Sequence, residues 1–325
     1  MVDFLSRARG ALVGLAVGDA LGTTNEFKVA GTFTPSTGMV GGGAFQLKPG
    51  QWTDDTSMAL CLADSLLAQG RYDSIDVMER YERWLREGYR SSTGRCFDIG
   101  NQVSHALDAF DREGRVPRGA PRSASAGNGS IMRLAPVVIA GFPSRDSREI
   151  VATAGLSARE THYSVEAEAA TEVFAALLVG ALLGWEADRI VDVAWASTGS
   201  AFDDVAARVI SADPATRASW EASTSGYVID GLRLAVHGLL DFSSFDEAVL
   251  ALANLGGDAD TNAAIYGQLG GAFFGVEAIR PSWRDLIHDG DQIDALARDL
   301  IALDLGEPRT RFDEDLPAGP FSSPT

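Results

Sequence analysis

Val165-Glu166-Ala167-Glu168-Ala169-Ala170-Thr171-Glu172-Val173-Phe174-Ala175-Ala176-Leu177-Leu178-Val179-Gly180-Ala181-Leu182-Leu183 is the stretch on which the class of fold turns. Its apolar residues recur three and four positions apart, the spacing that lines one side of a helix. The apolar run from Val173 to Trp185 is 13 residues long and bounded by Glu172 and Glu186. That is too short to cross a bilayer and suits a buried helix. The same spacing predicts helices over 55–68, 75–87, 99–110, 187–196, 227–240, 245–254, 261–274 and 293–303. Short connections of Gly, Asp, Ser and Pro separate them, and two-residue alternation is scarce. The chain reads as all-α. It carries no internal repeat of about 20 to 50 residues and no long low-complexity linker. One compact domain over residues 1–305 is therefore expected, with a Pro-, Ser- and charge-rich tail over 306–325 that frays.

The chain has 325 residues, with 27 Lys plus Arg against 45 Asp plus Glu, a net charge of −18. Such a chain lacks the clustered cations that bind nucleic-acid backbones, and it lacks a polybasic face for anionic membranes. Neither partner is expected. At 46% hydrophobic and 22% charged residues the composition is ordinary for a globular protein, so disorder does not explain the charge. Two cysteines, Cys61 and Cys96, cannot build a disulfide framework and fit a reducing compartment. Arg7, Arg9 and the apolar run from Gly10 to Gly18 imitate a signal peptide until Asp19 interrupts. A cytoplasmic monomer is the expectation. The 35 glycines are expected to gather in loops and at helix ends, with 37–43, 119–129 and 255–257 as binding loops.

Two acidic clusters precede helices: Thr53-Asp54-Asp55-Thr56 and Asp258-Ala259-Asp260-Thr261. Helix capping and the helix dipole explain each one alone. Together they ask for more. No Lys or Arg lies between Pro49 and Gly70, or between Leu234 and Ile279. If the two helix starts face each other, four carboxylates converge without a basic partner, at a cost that a cation would remove. Carboxylate and hydroxyl oxygens favour Mg2+ or Mn2+ over Zn2+, and the four histidines form no spaced pair. A Gly127-Asn128-Gly129-Ser130 turn, preceded by Arg112, Arg115, Arg118 and Arg122, offers backbone N–H groups and positive charge for phosphate oxygens.

These segments carry a resemblance. Gly10 to Gly22, Glu26-Phe27, Trp52 to Thr56, Gly127 to Arg133, Thr161-His162 and Gly257 to Thr261 follow the order of motifs in the ADP-ribosylglycohydrolase family, across roughly Arg7 to Gly275. The chain resembles the branch that holds the dinitrogenase reductase activating glycohydrolase. The resemblance implies a single orthogonal helical domain with two Mg2+ or Mn2+ ions, cleaving the glycosidic bond between ADP-ribose and a modified side chain, with ADP-ribosyl-arginine favoured. By position it implies Thr53, Asp54, Asp55, Asp258, Asp260 and Thr261 as metal ligands. Glu26 matches the glutamate of a mobile loop near the metals, and Glu26 and Asp258 are the candidates for acting on water. Gly127, Asn128, Gly129, Ser130 and His162 fall on the substrate side, with Phe97 and Asp98 on a neighbouring loop. Ala126 stands where some members place an aromatic residue, so the adenine contact is sought at Phe97 or Tyr163. ADP-ribosyl-serine, a small ADP-ribose derivative, a non-catalytic ADP-ribose binder and a two-metal phosphoesterase are the rival readings.

Overall fold

A computed structural model describes residues 2–114 and 126–309. Arg115, Arg118 and Arg122 of the expected basic stretch, and residues 310–325 of the expected tail, lie outside the described residues. Among the described residues fifteen α-helices follow in order: α1 Phe4–Gly22, α2 Asp54–Gln69, α3 Ser74–Glu87, α4 Asn101–Glu113, α5 Ala135–Gly141, α6 Ser147–Ala158, α7 Val165–Leu182 and α8 Ala187–Ile190. Then come α9 Ser200–Val209, α10 Pro214–Ser219, α11 Val228–Asp241, α12 Phe245–Ala253, α13 Ala259–Phe274, α14 Pro281–Arg284 and α15 Gly290–Ile301. Among the described residues the only β-pairings are isolated bridges, such as Gly127 with Tyr227. The chain is all-α as the apolar spacing predicts. No described helix is long and apolar enough to cross a membrane.

One apolar core runs from Ala8 to Leu300. At its centre α1 and α13 lie antiparallel and almost touch. A Cβ built on Gly10, Gly14 or Gly18 would fall 2.1, 2.2 and 2.1 Å from the carbonyl oxygens of Gly271, Gly267 and Ala263. Only residues without side chains at this four-residue spacing allow such an approach. The expected gathering of glycine in loops and helix ends is therefore incomplete: this stripe lies inside two helices. Its consequence is positional, since it brings Asp19, near the end of α1, against Asp260, in the first turn of α13.

Two helix expectations need correction. Periodicity over 187–196 predicts one helix, but α8 stops at Ile190 and a separate 3-10 turn covers Val193–Ala196. Asp192, at φ −80° and ψ 79°, breaks the run. The predicted ranges also pass over α1, α5, α6, α9, α10 and α14; of these α1 is buried almost all round and shows no apolar stripe. Beyond α15, Gly306 donates its N–H to Gly70 O and Arg309 to Tyr72 O, which ties residues 306–309 to the body.

Candidate active site

Three helix ends meet at the site: the C-terminal turn of α1 and the N-termini of α2 and α13. Thr53 occupies the N-cap position of α2 but makes no capping bond. Its hydroxyl instead reaches Asp19 Oδ1 at 3.0 Å, Asp260 Oδ2 at 3.2 Å and Asp55 Oδ2 at 3.3 Å. Asp19 accepts four hydrogen bonds, from the N–H and hydroxyl of Thr53 and of Thr56. From the α13 side Thr261 Oγ1 lies 3.4 Å from Asp55 Oδ2. Asp258 is half-buried at the N-cap of α13, and Asn128 Nδ2 donates to its Oδ2 at 2.6 Å.

Glu26 is drawn in by backbone pairing. Phe27 N–H donates to Gly257 O at 2.7 Å, and Gly257 N–H to Lys28 O at 2.9 Å, which clips the turn after α1 to the loop before α13. Phe27 accepts a strained φ of +61° to make that turn. Glu26 is thereby only 4% exposed, although it stands in a turn. Asp98 arrives from the other side on a loop held by Ser92, whose hydroxyl donates to Trp52 O at 2.6 Å. It too has a left-handed φ, +60°.

The result is two triads of carboxylates that share Asp260: Asp19, Asp55 and Asp260, and Glu26, Asp98 and Asp260, each with oxygens within 4.8 Å of one another. No ion pair among the described residues reaches any of them. Asp55 Oδ1, Asp260 Oδ1, Glu26 Oε2 and Asp98 Oδ2 are buried without a hydrogen-bond partner. Burial, followed by repulsion from the neighbouring carboxylates, holds Asp54, Asp55 and Asp260 well above the ordinary carboxyl range. The same causes push Glu26 up to about 12 and Asp98 up to about 7. Asp19 and Asp258 are raised by burial, and the hydrogen bonds they accept oppose the shift. Orphaned buried oxygens that cannot all ionise together are the chemistry of a cation site, and the all-oxygen donor set fits a hard divalent cation.

Above this floor opens a cleft of about 500 Å³. Glu26, Asp54, Asp98, Asp258 and Thr261 line it, together with the first turn of α4 and the Gly127–Gly129 segment, which meet where Gly127 N–H donates to Gln102 Oε1 at 3.1 Å. Gly100 holds the N-cap position of α4 and, having no side chain, makes no capping bond there. Gln268, inside α13, pins the glycine segment by donating to Ile131 O and Met132 O and accepting from Ala135 N–H. His162 lines the cleft beside it.

The expected site residues come from six separate segments, with differences in detail. Ser130 is buried away from the cleft and accepts from the Thr171 hydroxyl. Phe97 packs on Phe45, with ring centroids 5.1 Å apart, and Phe45 in turn meets Phe27. Phe27 is the aromatic residue that borders the cleft; it is 65% exposed. Ala126 is buried, and Arg112, at the end of α4, donates to Asp108 O. The apolar spacing gives no hint of Asp19 or Phe27 as site residues. The signals that mark Asp19 are its interruption of an otherwise apolar run and its place in the first of the motifs that carry the family resemblance.

Fold and site together define a class: an all-α hydrolase whose polar cleft stands over a carboxylate floor able to hold cations. A sequence model of the ADP-ribosylglycohydrolase family matches residues 1–309, and the chain belongs to that family, hydrolases of glycosidic bonds. The ADP-ribosylarginine hydrolase Tri1 of Pseudomonas putida (strain GB-1) is 40% identical over 300 residues, covering 91% of this chain and 78% of that one. The ADP-ribosyl-[dinitrogen reductase] glycohydrolase of Rhodospirillum rubrum is 34% identical over 292 residues, covering 85% and 88%. A solved structure described as an ADP-ribosylglycohydrolase-related protein complex superposes with a TM-score of 0.78 at 37% identity, over 93% of this chain and 99% of that one.

Proposed function

We propose that the protein removes ADP-ribose from modified arginine side chains of proteins, in the cytoplasm and as a monomer, with two Mg2+ or Mn2+ ions as cofactors. The observation that carries this reading is the pair of carboxylate triads sharing Asp260 beneath the cleft, with buried oxygens left unpartnered. The 40% identity to an ADP-ribosylarginine hydrolase supports arginine over serine as the modified residue. Asp19, Asp55 and Asp260 would hold one cation and Glu26, Asp98 and Asp260 the other, with Asp54, Asp258, Thr53 and Thr261 completing the oxygen shell. When bound, the cations supply positive charge that neutralises the floor and holds ribose hydroxyls.

The remaining work falls to the chain. The first turn of α4 and the Gly127–Gly129 segment border the space where a pyrophosphate would lie, with Gly127 and Asn128 already giving their N–H groups to Gln102 Oε1 and Gly226 O. Phe27 presents a ring face at the lip of the cleft in place of the aromatic residue missing at Ala126. In the reaction the bond between the anomeric carbon and the guanidino nitrogen breaks, and the oxygen of water takes its place. Positive charge builds on the ribose as the bond opens, and the carboxylates of the floor stabilise it. Glu26 and Asp258 border the cleft and, ionised once the cations are bound, would accept the proton that water loses; the Asn128 amide that donates to Asp258 would orient it for that role. The departing guanidine takes up a proton and leaves as guanidinium.

The test is incubation with ADP-ribosyl-arginine and ADP-ribosyl-serine peptides in Mg2+ or Mn2+, with product identification. Free ADP-ribose and unmodified arginine peptide are expected. AMP would indicate the phosphoesterase, and binding without turnover the non-catalytic relative. Asp54→Asn and Asp258→Asn are each expected to lower turnover by about 100-fold or more while far-UV circular dichroism is unchanged. Normal activity of both variants in a chelator would overturn the proposal.

A further inference from the structure

We propose that Arg133 is a positioning residue for the cleft: acting through the Thr161 hydroxyl, it fixes the His162 imidazole with its proton on Nε2, where it serves as a neutral donor to an oxygen of bound ADP-ribose. The identity of that ligand rests on the function proposed above; the tautomer rests on the fold alone.

Arg133 follows the Gly127–Ser130 turn and is 1% exposed. Its guanidinium is boxed in. Nη2 donates to Thr161 Oγ1 at 2.8 Å and to Ser157 O at 3.4 Å, and the group stacks over the Tyr81 ring at 4.9 Å. Glu160, itself held by the Tyr72 hydroxyl, sets a carboxylate oxygen 3.9 Å away. A guanidinium has donors and no acceptor, so Thr161 Oγ1 must accept from it. The same oxygen lies 2.8 Å from His162 Nδ1. Among the described residues the hydroxyl proton of Thr161 has no other acceptor, and leaving it unplaced in a buried site is costly. It therefore goes to Nδ1, which must carry a lone pair. Burial, and then the charge of Arg133, push the His162 pKa down to about 3, so the ring is neutral at physiological pH. A neutral imidazole without a proton on Nδ1 carries it on Nε2.

The opposite edge of the ring is clamped as firmly. A Cβ on Gly129 would lie 2.6 Å from His162 Cε1, and one on Gly127 would lie 3.2 Å from Nε2. The two glycines of the Gly-Asn-Gly turn therefore make room for the imidazole as well as shaping the turn. His162 lines the cleft, and a ring held this way presents N–H to the ligand. The other tautomer would point a lone pair at an acceptor-only phosphate oxygen and weaken binding.

Removing Arg133 would leave Glu160 buried and unpaired, so Thr161→Val carries the test, with Thr161→Ser as the rescue. In full-length protein labelled with 15N-histidine, the His162 signals are assigned by their loss in His162→Gln. The wild type is expected to show the Nε2–H pattern unchanged from pH 5 to 8. Thr161→Val is expected to shift toward mixed tautomers and to raise the Kd for ADP-ribose about tenfold, with Mg2+ or Mn2+ affinity unchanged; Thr161→Ser restores both. An Nδ1–H pattern in the wild type, or Thr161→Val with unchanged shifts, would overturn the relay. A changed tautomer with unchanged ADP-ribose affinity would overturn the donor role. If the wild type shows the Nε2–H pattern but binds no ADP-ribose, the proposed function fails and the relay stands.

Discussion

Gly129 shows how much a single missing side chain decides. Its Cα faces the His162 ring so closely that a methyl group would intrude at 2.6 Å from Cε1. Gly129→Ala is expected to displace the imidazole, to cost about 1–3 kcal/mol of stability as an overpacked site does, and to weaken ADP-ribose binding while leaving cation affinity intact. Isothermal titration with each ligand separates the two effects; equal loss of both would place the damage in the whole cleft. Residues of this kind differ in how openly they declare themselves. Asp54, Asp55, Asp258 and Asp260 stand out in the sequence because paired acids begin two helices in stretches free of Lys and Arg. Thr53 looks like a cap there, and only the packed structure turns its hydroxyl toward three carboxylates. Asp19 has no neighbouring acid in sequence. It belongs to the floor because Thr53 and Thr56, 34 and 37 positions along the chain, close around it.

At the scale of elements, the contact between α1 and α13 sets the spacing of the carboxylates. Gly18 lies one residue before Asp19, and a Cβ there would meet Ala263 O at 2.1 Å. Gly18→Ala is expected to force the two helices apart, lowering stability by about 2–3 kcal/mol and weakening cation binding as Asp19 draws away from Asp260. Gly100→Ala, whose added methyl meets nothing within 4 Å, is expected to leave thermal stability unchanged. A Gly18→Ala protein with normal cation affinity would show that the floor does not depend on the helix spacing. Amphipathic helices such as α3 and α4 can be read from apolar spacing because only one side is buried. α1 cannot be read so, since it is buried all round and shows no stripe. The break at Asp192 escapes the same pattern, because apolar spacing continues across a kink that tertiary contacts impose.

For the molecule as a whole, the carboxylate floor links stability to pH and to cations. In the unfolded chain these acids lose their protons near pH 4. In the folded, cation-free protein they keep them, because burial and mutual repulsion raise Asp54, Asp55 and Asp260 well above that, Asp98 to about 7 and Glu26 to about 12. The native state then binds more protons than the unfolded state, so stability falls as pH rises from about 4 through neutrality. Asp76 and Asp241, lowered by their arginine partners, lose their contribution only at more acid pH and do not mask the trend. The chelated protein is expected to lose Tm between pH 5 and 8. Millimolar Mg2+ or Mn2+ is expected to restore more of it at pH 8 than at pH 5, with protons released on binding. A Tm indifferent to cations at pH 8 would contradict a cation-holding floor.

The helical class, the acidic net charge and the two acid-rich helix starts follow from composition and from spacing along the chain, since local periodicity and local charge need no knowledge of neighbours. The meeting of those starts does not follow from them. It depends on two glycine-bearing helices touching backbone to backbone and on a turn that clips Phe27 and Lys28 to Gly257 and so draws Glu26 in. It also depends on a loop that delivers Asp98 from the far side. Each is an interaction between segments far apart in sequence, and a carboxylate becomes part of a cation site only when packing removes its water and sets others within a few ångströms.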